Sequence, residues 1–138
     1  MTISKLLTTW FATFVLIAAG NAITHGAVGG ARLTAALDLV APSAMNPAVL
    51  SVVWALIAAA TVYFVIRERA PSWTRSMIAG AVVGLLVDGA WNIINKALWA
   101  QWSGALIAVD ITWHVVHGAA AGALVYALTR RSLETHRG

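Results

Sequence analysis

The stretch Asp88-Gly89-Ala90-Trp91-Asn92-Ile93-Ile94-Asn95, followed after a short break by Asp110-Ile111-Thr112-Trp113-His114-Val115-Val116-His117, decides how this chain is read. Each half lies inside a strongly apolar segment, and the two repeat one spacing. Asp88, Asn92 and Asn95 fall at i, i+4 and i+7, and so do Asp110, His114 and His117. On an α-helix that spacing draws a single stripe along one face. The break Trp99–Gly104 lets two helices pack antiparallel, so both stripes are expected to face one interior. A shorter echo, Asn21 and His25 at i, i+4, stands near the end of the first apolar segment.

Working outward, the setting of these polar residues is a membrane. Of 138 residues, 60% are hydrophobic and only 10% are charged, which sets the chain apart from soluble domains. There is no cysteine, which removes disulfides, thiolate metal sites and a Cys nucleophile. The net charge of +4 is no nucleic-acid signature, because the basic residues stand at the ends of apolar segments rather than along one face.

About 20 helical residues cross a hydrocarbon core of roughly 30 Å. On that measure the chain holds spans over about 5–27, 47–67, 74–98 and 105–129, and it reads as a single all-α, four-span transmembrane domain. Lys5 and the apolar run behind it have the look of a signal peptide. The run continues past any plausible cleavage site, however, so it is read as a span. Val28–Met45 is too polar to cross, with Arg32, Asp38 and Pro42. Leu33, Leu37 and Val40 give it an apolar stripe, which predicts a short interfacial helix between the first and second spans. Asn46-Pro47 is a helix-start signal, Arg67-Glu68-Arg69 closes the second span, and Ser72 or Thr74 is placed to cap the third.

Four spans put both ends of the chain on one side. Lys5, Arg67, Arg69, Arg75, Arg130, Arg131 and Arg137 share that side, against Arg32 and Lys96. The positive-inside rule makes it the cytoplasmic side, in an inner membrane. Trp10, Trp73, Trp99 and Trp102 are then expected at the interfaces as an aromatic belt. The polar stripes are expected in the outer half of the bundle, around a cavity open to the non-cytoplasmic side. Beneath them Gly80-x-x-x-Gly84 and Gly118-x-x-x-Gly122 offer small-residue patches for close approach of the third and fourth helices.

These residues resemble a family of small four-helix bacterial inner-membrane proteins known only as a domain of unknown function. In that family the third span carries an aromatic-Asp-x-x-Asn motif and then a Trp, the fourth opens with Val-Asp-x-x-Trp-Gly, and the first carries Asp-Ala-Ile-Trp. Trp91-Asn92-Ile93-Ile94-Asn95, Trp102, Val109-Asp110-Ile111-Thr112-Trp113 and Asn21-Ala22-Ile23-Thr24 stand at the matching places. Asn21 and Asn92 replace family aspartates and His114 replaces the Gly, while His25, Asp88 and His117 have no counterpart. The resemblance implies the fold and leaves the activity open.

Ionisable side chains in a bilayer are costly, at about 2.5–3.5 kcal/mol each on insertion scales, and mark functional sites. The expected ligand-binding set is Asn21, His25, Asp88, Asn92, Asn95, Asp110, Trp113, His114 and His117. The main reading is a small ligand or ion in an Asp/His/Asn pocket. The bland alternative is an accessory subunit of a larger membrane complex, in which these residues are interhelical glue. A metal site would draw on Asp110, His114, His117 and His25, although no zincin or di-iron pattern is present. A haem would take two of His25, His114 and His117 as axial ligands. A proton-linked transporter would need a homo-oligomer, since four spans make a poor pore and the fourth span carries no relay below His117. An enzyme acting on a lipid headgroup would use histidine as general base, with Ser103 and Thr112 the nearby hydroxyls.

Overall fold

The computed structural model describes residues 1–24, 47–68, 70–98 and 102–135, and the fold is all-α. Among the described residues four helices follow one another: α1 (Ile3–Ala22), α2 (Pro47–Arg67), α3 (Trp73–Leu98) and α4 (Gly104–Thr135). Each is long and apolar enough to cross a membrane. The short interfacial helix expected within Val28–Met45 lies outside the described residues, as do His25 and Trp99.

The helix starts follow local chemistry. Thr2, in extended backbone, accepts from the Lys5 N–H at 3.3 Å and caps α1. Pro47 occupies the first position of α2, where its missing N–H costs no hydrogen bond. Ser72 accepts from the Arg75 N–H and caps α3, and Ser103 accepts from Leu106 in the same way at α4.

The bundle is inside out compared with a soluble one. Leu56, Leu86, Ile93 and Leu98 are about two-thirds or more exposed, as side chains facing lipid would be. The interior instead holds small and hydroxylated residues: Thr9, Thr13, Thr61 and Thr129 are buried, each donating its hydroxyl to the carbonyl four residues back. That local bond keeps a polar atom satisfied where no water is present. Among the described residues, apolar packing gathers around two small clusters, Ile17, Ala58 and Ala121, and Val62, Val65 and Val125. At one end of the bundle the Lys5 ammonium donates to Ser132 at 2.6 Å, tying the start of α1 to the end of α4.

The closest association is between α3 and α4, and glycine makes it. A Cβ on Gly80 would meet the Gly118 carbonyl, one on Gly84 the His114 carbonyl, and one on Gly122 the Ser76 carbonyl. The two helices are in backbone contact over these steps of four residues: Gly80 faces both Gly118 and Gly122, while Gly84 lies one step further along, against His114. One step further along each helix come Asp88 and Asp110. The glycine seam therefore sets the separation at which the polar stripes meet.

The aromatic belt needs one correction. Trp73 is exposed and packs edge-on against Tyr126, with ring centroids 5.1 Å apart. Trp10 is half-buried and donates its Nε1–H to the Ala55 carbonyl at 3.0 Å. Trp102, by contrast, is only 3% exposed and turns into the bundle, because Asn92 offers its indole N–H an acceptor that lipid does not.

Candidate functional site

Asn92 on α3 is fully buried and is the hub of the polar cluster. Its Nδ2 donates to the Asp88 carbonyl at 2.9 Å and across to Asp110 Oδ2 on α4 at 2.6 Å. Its Oδ1 accepts from Trp102 Nε1 at 2.9 Å. A donor-only indole on one side and two acceptors on the other fix the orientation of the amide.

His114, one turn after Asp110 on α4, is the second hub. Its Nδ1 lies 2.9 Å from the Asp110 carbonyl and 3.4 Å from Asp110 Oδ1. Its Nε2 lies 3.1 Å from Asn21 Oδ1 on α1 and 3.4 Å from Asp88 Oδ1 on α3. Asn21 donates its Nδ2 to the Ile17 carbonyl at 2.9 Å, which turns its Oδ1 toward the imidazole. Asp88, Asp110 and His114 can each offer one ligand atom within 4.8 Å of the other two.

His117 sits one turn further along α4 and does a different job. Its Nε2–H donates to the Leu16 carbonyl at 3.0 Å, and its ring occupies the space that a Cβ on Gly20 would take. Glycine on α1 is thus a notch that receives the imidazole. Trp113 lies against the same ring, with centroids 5.7 Å apart.

Asn21, Asp88, Asp110, His114 and His117 line part of a cavity of about 480 Å³. Most of the remaining wall is apolar and comes from α2, through Val49, Leu50, Val53, Trp54 and Ile57, and from α3, through Val87, Ala90, Trp91 and Ile94. That volume falls in the range of small-molecule pockets, in which a few convergent polar groups sit in an apolar lining.

Of the residues expected from the sequence, Asn21, Asp88, Asn92, Asp110 and His114 come together in one bonded group. Asn95 Nδ2 and Trp113 Nε1 are buried and find no hydrogen-bond partner among the described residues. Sequence reasoning missed Trp102 as a member of the group, because a Trp near a span end reads as an interface anchor. It also missed the contribution of α2, whose lining residues are apolar and carry no polar signal.

The family described as Predicted membrane protein (DUF2177) matches residues 6–127, and the chain belongs to it. No curated protein and no solved structure matches the chain.

Proposed function

We propose that this member of the family binds a small ligand or ion in the Asp/His/Asn pocket, with Asp88, Asp110 and His114 as the groups that meet it. One observation carries the reading: two carboxylates and an imidazole, from two helices, converge on the wall of a cavity whose other lining is mostly apolar. Charges inside a bundle are held at a cost. The carboxylates, the Asn21 carbonyl oxygen and the neutral imidazole all offer acceptors, so the pocket favours a cation or a hydrogen-bond donor at its polar end. An apolar body would lie along Leu50, Trp54, Ile57 and Ile94.

The topology that goes with this reading is an inner-membrane protein with both termini in the cytoplasm, supported by the seven basic residues on that side. The pocket then opens in the non-cytoplasmic half.

A second reading, interhelical glue in an accessory subunit, has its own support. Asn92 bonds Asp88, Asp110 and Trp102 at once and needs nothing further to be satisfied. The two readings part at native mass spectrometry and elemental analysis of protein purified in mild detergent. Pocket binding predicts a bound species in the wild type that is lost in Asp88→Asn. The same bare mass for both proteins contradicts it and puts the glue reading first.

A further inference from the structure

The arrangement around His114 points to a more specific occupant, and the inference rests on the pocket reading above. A backbone carbonyl can only accept, so the Asp110 carbonyl 2.9 Å from Nδ1 puts the ring proton on that nitrogen. The lone pair of Nε2 then faces Asn21 Oδ1 at 3.1 Å and Asp88 Oδ1 at 3.4 Å. The Asn21 amide cannot turn its NH₂ inward without losing its bond to Ile17 and setting oxygen against oxygen. Three acceptors therefore converge on one point, and a cation belongs between them.

Two cations fit: a proton on Nε2, or a metal ion. Metal–ligand distances of about 2.0–2.2 Å set tetrahedral ligand atoms roughly 3.3–3.6 Å apart, and the spacings of 3.1 and 3.4 Å around Nε2 already approach that edge. Asp110 stands on the Nδ1 side of the ring, with Oδ1 3.4 Å from that nitrogen and a ligand atom within 4.8 Å of those of Asp88 and His114, so its carboxylate adds negative charge beside the ion. The supporting shell is also in place. Nδ1 of the ligating histidine is hydrogen-bonded to a carbonyl, and Asn21 is held by its bond to Ile17, as ligands of metal sites are. Charge is compatible with the metal: a divalent ion balances two ionised carboxylates with the imidazole neutral. We propose that Asp88 and His114, with Asn21 as a neutral oxygen donor and Asp110 as a supporting carboxylate, form a site for a divalent transition metal of the zinc class. Mixed nitrogen and oxygen donors favour such an ion over magnesium or calcium. His117 is excluded from the ligand set by its bond to Leu16.

The test is zinc alone added to chelator-stripped protein in detergent, read by equilibrium binding and by thermal unfolding. The wild type should bind one zinc per chain, and its melting temperature should rise with zinc concentration. Asp88→Asn and His114→Gln should each lower the affinity by about 100-fold or more, while Glu68→Gln, just past the end of α2 and outside the cavity lining, should leave it unchanged. The wild-type titration needs no variant, so misfolding of a mutant cannot rescue the idea. No saturable zinc binding by the wild type overturns it, as does binding that His114→Gln leaves intact. If zinc fails but native mass spectrometry finds an organic species in the wild type, the metal falls and the pocket stands. If neither is found, both fall.

Discussion

Gly84 lies directly against the backbone of His114: a Cβ on the glycine would meet the His114 carbonyl. A backbone contact between α3 and α4 thus passes beneath the residue at the centre of the polar cluster. Packing and site geometry are one feature, because what separates the two helices also moves the imidazole away from Asp88.

Gly84 and Gly89 on the same helix make a matched pair for testing this. Nothing lies within 4 Å of a Cβ built on Gly89, while Gly84 is closed by backbone. Gly89→Ala should stabilise the protein by up to about 1 kcal/mol through helix propensity. Gly84→Ala should destabilise it, and Gly84→Leu more so, whereas Ala59→Leu on the exposed face of α2 should do little. Unfolding in detergent measures all four, and equal tolerance at positions 84 and 89 would refute the backbone contact.

Gly20 and His117 should be energetically coupled. Gly20→Ala places a methyl group in the imidazole ring and should be costly in the wild type, yet nearly neutral in a His117→Ala background. A double-mutant cycle reads the coupling, and additive effects would show that the notch is not what holds the ring.

Trp102→Phe keeps the aromatic body and removes the donor to Asn92 Oδ1. A buried acceptor left without its partner costs about 1–3 kcal/mol, so a loss in that range is expected on unfolding. A change of only a few tenths of a kcal/mol would mean that Trp102 acts through packing alone.

Orientation is read by reporter fusions. Gly138 and Asp38 should report opposite sides of the membrane, with the Gly138 fusion cytoplasmic, since the basic residues gather at that end. Both fusions reporting one side would contradict a four-span topology.

Much of this was legible in the sequence because the signals are periodic. Asp88 and Asn92, and Asp110 and His114, stand at helical spacing within apolar segments, and the spacing alone put them on facing stripes. The glycine pairs were legible for the same reason. What periodicity cannot give is direction at a helix end, which is why Trp102 was expected at the interface and is found on Asn92. Nor does it distinguish two histidines on one stripe. His114 meets carboxylates, whereas His117, three residues on, meets a helix backbone exposed by Gly20. That distinction depends on a glycine nearly a hundred residues away in the chain. The cavity wall was invisible too, since Val49, Val53 and Ile57 read only as lipid-compatible residues until α2 is set against α3.

The measurement that bears most directly on whether this cluster is a working site is the double substitution Asp110→Asn with His114→Gln. It keeps hydrogen-bonding capacity toward Asn92 and Asn21 and removes two of the four titratable groups at the cavity wall. A site that holds charge for function gives up stability to do so. The account therefore predicts a double mutant that melts at or above the wild-type temperature and has lost its bound ion or ligand. A double mutant that melts lower, by the worth of one or two interhelical hydrogen bonds at about 0.6 kcal/mol each, and retains every species bound by the wild type would contradict it.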